Sequence, residues 1–116
     1  MKQVTTPLRP GADYLPVALV KLNLESFARE RGLSLEQGED EFDAYSLLQL
    51  RSENGDQFLL LHYAGADKNT FDIWLPTDVE SVGQSLSMIV AELSVPSATI
   101  VQRTLSDNAF KPRTLI

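Results

Sequence analysis

The sequence predicts an α+β domain: an antiparallel β-meander sheet packed on one face by two helices, in the order α-(β)-β-β-β-α-β. Three observations predict it. Two apolar runs, Ala44 to Arg51 and Gln57 to Ala64, flank Ser52-Glu53-Asn54-Gly55-Asp56. Asn-Gly between such runs is a strong hairpin signal, because both central residues of a type I′ turn need positive φ. A third run, Thr70 to Leu75, follows a polar loop and extends the meander. Beyond it Val79, Val82, Leu86, Ile89, Val90 and Leu93 recur at helical spacing and form one apolar stripe.

The elements follow in order. Residues 1–12, polar and carrying Pro7 and Pro10, read as an extended N-terminal arm. Asp13 precedes Tyr14-Leu15-Pro16-Val17, and an aspartate N-cap with proline in the first turn is a sound helix start. Val17, Val20, Leu24, Phe27 and Ala28 share helical spacing, and Gly32 stands where a C′ glycine belongs, so the spacing predicts a helix over 14–31. A competing reading makes Val17 to Leu22 a strand and begins a shorter helix at Asn23. Leu33 to Glu36 suits a short strand, and Gly38 with Glu39-Asp40-Glu41 reads as a loop. The meander then occupies about residues 42–75. Thr77-Asp78-Val79-Glu80 has the form of a capping box and opens the second helix, which ends near Ser94, before Pro96. Ala98 to Leu105 is β-rich and reads as a last strand, followed by a C-terminal tail over 106–116.

A two-residue Asn54-Gly55 loop fixes a register. It pairs Leu50 with Leu59, Leu48 with Leu61 and Ser46 with Tyr63 on one face. The other face then pairs Arg51 with Phe58, Gln49 with Leu60, Leu47 with His62 and Tyr45 with Ala64. The leucine face joins Phe71, Ile73 and Leu75 and receives both helices. The second face is left carrying Tyr45, Leu47, Phe58, Leu60, His62 and Trp74, too apolar for a plain solvated surface. Such a patch marks an interaction site, and a homodimer is the commonest way to bury it. An arm, tail or helix of the same chain lying over the face is the competing reading.

Length and composition bound the rest. A chain of 116 residues makes a single domain and buries enough surface to fold unaided. With no cysteine, it has no disulfide, thiolate metal site or cysteine nucleophile. The amino terminus does not read as a signal peptide, and no stretch approaches the roughly 18 apolar residues that span a bilayer. The expectation is a soluble, cytoplasmic protein without membrane contact. A net charge of −6, with no basic residues interleaved with aromatics, argues against a nucleic-acid partner. Glu36, Glu39, Asp40, Glu41 and Asp43 crowd one segment and read as a solvated acidic surface.

Motifs for chemistry are missing. His62 is the only histidine and reads as a packed residue with one hydrogen bond. Gly83-Gln84-Ser85 lacks the second glycine of a nucleophile elbow and lies within a helical stripe. The acidic run has no EF-hand spacing, and Asp67 to Asp72 reads as a strand connection. No P-loop, dinucleotide fingerprint or H-E-x-x-H motif occurs, so no metal or cofactor is expected. The leading expectation is a non-enzymatic protein-interaction module of adaptor, chaperone-like or immunity type, working through its apolar sheet face and acidic loop. The alternative is a small ligand-binding domain or enzyme with a pocket near His62, Tyr45 and Trp74.

Overall fold

A computed structural model describes residues 1–4, 13–40, 43–96 and 99–102. Their elements are β1 (Lys2–Gln3), β2 (Tyr14–Val20), α1 (Leu24–Glu30), β3 (Glu36–Glu39), β4 (Ala44–Arg51), β5 (Gln57–Tyr63), β6 (Phe71–Pro76), α2 (Val82–Leu93) and β7 (Ile100–Gln102). The strands form one antiparallel sheet in the order β1-β4-β5-β6-β2-β7, with β3 also paired to β4. The fold is α+β, and β4-β5-β6 is the expected meander. The tail over 106–116 and most of the arm lie outside the described residues.

The helix expected over 14–31 is a strand followed by a short helix, as the competing reading had it. Val17 and Val20 have the stiff χ1 that suits a strand, and β2 gains a full ladder against β6, from Tyr14 opposite Pro76 to Val20 opposite Phe71. Pro16 is accommodated at a register shift between Pro16 and Ala18, on a stretch of β2 that β7 does not pair. Helical structure begins where Asn23 can cap it, its Oδ1 accepting the Ser26 N–H at 2.9 Å. It ends in a Schellman motif. Gly32, at φ +66°, donates to the Arg29 carbonyl, and Leu33 donates to that of Ala28 at 2.9 Å.

The β4-β5 turn is the expected one, but its register is shifted by one residue. Leu50 pairs with Phe58, Leu48 with Leu60, Leu47 with Leu61 and Tyr45 with Tyr63. The Ser52 N–H donates to the Asp56 carbonyl at 2.8 Å and the Gly55 N–H to the Ser52 carbonyl at 2.9 Å. Within the turn only Gly55 has a positive φ, +90°. This is a three-residue loop closed by a glycine bulge rather than a two-residue type I′ turn. Because side chains alternate faces, a one-residue slip sends every β5 side chain to the face opposite the expected one.

Both helices cover one face. Leu24, Phe27 and Ala28 of α1 and Val82, Leu86, Ile89 and Leu93 of α2 pack on Val20, Leu48, Leu50, Phe58, Leu60, Phe71, Ile73 and Leu75. Arg31 joins the two helices: its guanidinium lies 3.9 Å from the Phe27 ring centroid and donates to the Leu93 carbonyl at 2.8 Å. The start of α2 differs from expectation. Thr77 to Glu80 form a turn instead, with the Thr77 N–H donating to the Asp13 carbonyl and the Val79 N–H to the Pro76 carbonyl. The cap is Ser81, whose hydroxyl accepts the Gln84 N–H at 3.3 Å. The carboxyl end is as expected, with Ser94 left-handed at φ 55°.

On the opposite face Tyr14, Leu47, Leu59, Leu61 and Trp74 form a second cluster, flanked by Tyr45 and Tyr63. These five side chains are buried within the chain, so this face is not an exposed apolar patch. The outer edge of β4 is shared end to end by β1 and β3. Gln3 splices the two, its side-chain amide pairing with the backbone N–H and carbonyl of Ser34.

Candidate functional site

The residues expected on one interaction face are divided between two. Leu47 and Trp74 lie in the second cluster with Tyr45 beside them, whereas Phe58 and Leu60 are buried under the helices. His62 shares its side of β5 with Phe58 and Leu60, opposite in sense to Tyr63. The structure therefore does not assemble a pocket from His62, Tyr45 and Trp74. Sequence reasoning omitted Leu59, Leu61 and Tyr63 from the second face because the parity of β5 was reversed, and Tyr14 because residues 14–31 were expected to be helical.

The second cluster is aromatic and tightly tied. Tyr63 meets Tyr45 edge-on at 6.1 Å between centroids and Trp74 at 6.5 Å. Its hydroxyl donates to Asp40 Oδ2 at 2.7 Å. Burial, and then the hydrogen bond and charge of Asp40, push the Tyr63 phenol well above its usual range. Trp74 is 5% exposed, and its Nε1–H has no acceptor among the described residues.

The acidic segment is largely turned inward. Glu36 accepts from Gln49 Nε2 through both oxygens, at 3.1 and 2.9 Å. Asp40 holds Tyr63 and the Asp43 N–H, and Asp43 accepts the N–H groups of Ala44 and Gly65. These carboxylates lock the β3-β4 turn against the β5-β6 turn. Glu39 is exposed, and Glu41 lies outside the described residues.

Two concave regions lie among the described residues. One, of about 400 Å³, lies beside His62 and includes Asn23, Gln37, Ser46 and Lys68. Ser46 pairs with His62 across the ladder, but its hydroxyl donates to Gln37 Oε1 at 3.0 Å. His62 Nε2 sits 3.1 Å from the Asp67 carbonyl and 3.4 Å from that of Ala66, so this nitrogen carries the proton and donates. Asn23 Nδ2 donates to the Lys68 carbonyl. Asn23, Ser46 and His62 are thus each engaged in a hydrogen bond, and the Ser46 hydroxyl is not aimed at an accepting imidazole nitrogen.

The other region, of about 440 Å³, is the groove where α2 turns back over the β4-β5 hairpin end. Glu92 accepts the Glu53 N–H at 2.8 Å and Met88 Sδ receives Asn54 Nδ2 at 3.7 Å, which fixes the helix over the turn. Val79 and Met88 give it apolar surface over the buried Leu75 and Ile89, beside polar Gln57, Ser81, Gln84 and Ser85, and Asp56, Asp78 and Glu80 also line it. All three carboxylates belong to exposed residues, and among the described residues no lysine, arginine or histidine lines the groove. Met88 is 36% exposed, and its unbranched thioether can adapt to a partner's shape. Sequence reasoning missed this site because its walls come from the hairpin end, the β6-α2 turn and one side of α2.

Comparison with protein-family models, curated proteins and solved structures finds no match to this chain. Among the described residues, no group of three histidine, aspartate or glutamate side chains is placed to hold a metal ion. No helix among them is long and apolar enough to cross a membrane.

Proposed function

We propose that this chain is a non-enzymatic protein-interaction module, of adaptor, chaperone-like or immunity type, that receives a polypeptide partner in the α2 groove. The observation that carries the reading is the groove itself: an apolar surface with an adaptable methionine, opened between a helix and a hairpin end. Apolar floors rimmed by polar groups are the usual form of peptide-binding grooves. The homodimer expected from the sequence loses its motive, because Leu47, Phe58, Leu60 and Trp74 are already buried within one chain. A cysteine-free composition supports a cytoplasmic setting.

Site-specific photo-crosslinking tests the reading. A photoreactive residue at Gln84 or Ser85, which line the groove, should give a discrete adduct with a polypeptide. One at Glu25, on α1, should not. The adduct should disappear in Met88→Glu. Equal labelling from both positions, or an adduct indifferent to Met88→Glu, would overturn the groove as the working surface.

A further inference from the structure

The character of the partner follows from the rim. Asp56, Asp78 and Glu80 line the groove beside its apolar residues, and among the described residues of the lining no basic side chain neutralises them. Asp78 and Glu80 precede the Ser81 cap of α2, and Asp56 comes from the hairpin. A second copy of the chain, with net charge −6, meets like charge here, and an acidic segment does so too. From this geometry we infer that the groove takes a basic segment of another protein, one with an apolar side chain flanked by lysine or arginine. The apolar side chain rests on Val79 and Met88, and the flanking cations meet the three carboxylates. Paired at an exposed rim, these charges set partner choice and association rate more than total affinity.

This inference rests on the groove being the docking surface, and the experiment separates the two. Random linear peptides are selected on the full chain, and the best binders are measured by fluorescence anisotropy at low and high salt. The expected binders carry lysine or arginine on both sides of an apolar residue and lose affinity as salt rises. Neutralising the rim (Asp56→Asn, Asp78→Asn, Glu80→Gln) should weaken them by about tenfold, the scale of a few exposed charge pairs together. Neutralising Glu25, Glu30 and Glu39, which are equally acidic but lie outside the groove, should leave affinity within about twofold, as screened charges do. Thermal unfolding of each variant confirms that the fold survives. Binders lost in Met88→Glu but neutral or acidic, and indifferent to the rim variant, would overturn the basic partner and keep the groove. Binders insensitive to both Met88→Glu and the rim variant would overturn the groove as well. A concentration-dependent mass abolished by Met88→Glu would identify the occupant as a second copy and overturn the inference.

Discussion

At Gly38, the absence of a side chain matters for its neighbour. A Cβ there would lie 2.5 Å from Tyr45 Cζ, so the ring of Tyr45 uses the space that a side chain would fill. The two residues face each other across the β3-β4 ladder, and Tyr45 passes the contact on to Tyr63. Gly38→Ala should force the ring away and destabilise by about 1–3 kcal/mol, the usual cost of overpacking. An unchanged urea midpoint would show that Tyr45 relocates freely. Tyr63 gives a pH signature. Its phenol is raised from 10.0 by burial first and by Asp40 second, so the unfolded chain loses this proton before the folded one does. The resulting stability is fully present below pH 10 and declines as pH rises above it. Tyr14 is raised in the same sense, by burial and then by Asp13 and Asp78. Denaturant titrations at pH 8 and above pH 10 should therefore show a shallower loss in Tyr63→Phe than in the parent. Parallel losses would remove Tyr63 from the account.

At the scale of elements, the cap of α2 decides between two starts. Ser81→Ala should lower stability by about 1 kcal/mol, because Ser81 accepts the Gln84 N–H, whereas Thr77→Ala should stay within about 0.5 kcal/mol. The reverse order in urea would move the helix start to Thr77. Periodicity made α2 legible, since its stripe from Val82 to Leu93 is the one that packs. It did not fix the start, because both Thr77-x-x-Glu80 and Ser81-x-x-Gln84 have capping-box form. That choice was made by the Thr77 N–H pairing with Asp13, more than sixty positions away in sequence. In the hairpin, Asn54-Gly55 located the turn but not its loop length. Both faces of β4 and β5 are apolar, so alternation gave no vote on the register. Val17, Val20 and Leu24 have spacings that serve a helix or a strand-then-helix equally well, and only the ladder with β6 separates them. The α2 groove had no sequence signal: most of its lining lies between Leu75 and Ile89, but only folding brings Asp56 and Gln57 of the hairpin against that stretch.

For the whole molecule, the consequence of the register is largest at Leu60. The sequence-derived register would leave Leu60 on an exposed face, where a charge disrupts association and spares the monomer. In the structure Leu60 pairs with Leu48 and Ile73 and is 0% exposed, in the core beneath both helices. Leu60→Glu therefore places a carboxylate among apolar side chains with no partner, a loss of several kcal/mol from a domain whose whole stability is about 5–15 kcal/mol. The variant should lose its cooperative thermal transition. Met88→Glu changes an exposed position on the groove side of α2 and should melt within a few degrees of the parent, as surface substitutions do. Circular dichroism melts and light scattering on the three proteins check both statements together. A folded Leu60→Glu monomer obtained from a parent dimer would restore the sequence-derived register and return the second face to an intermolecular role. Loss of folding in Leu60→Glu beside an intact Met88→Glu would keep the sheet's apolar residues inside one chain, with the α2 groove left to meet a partner.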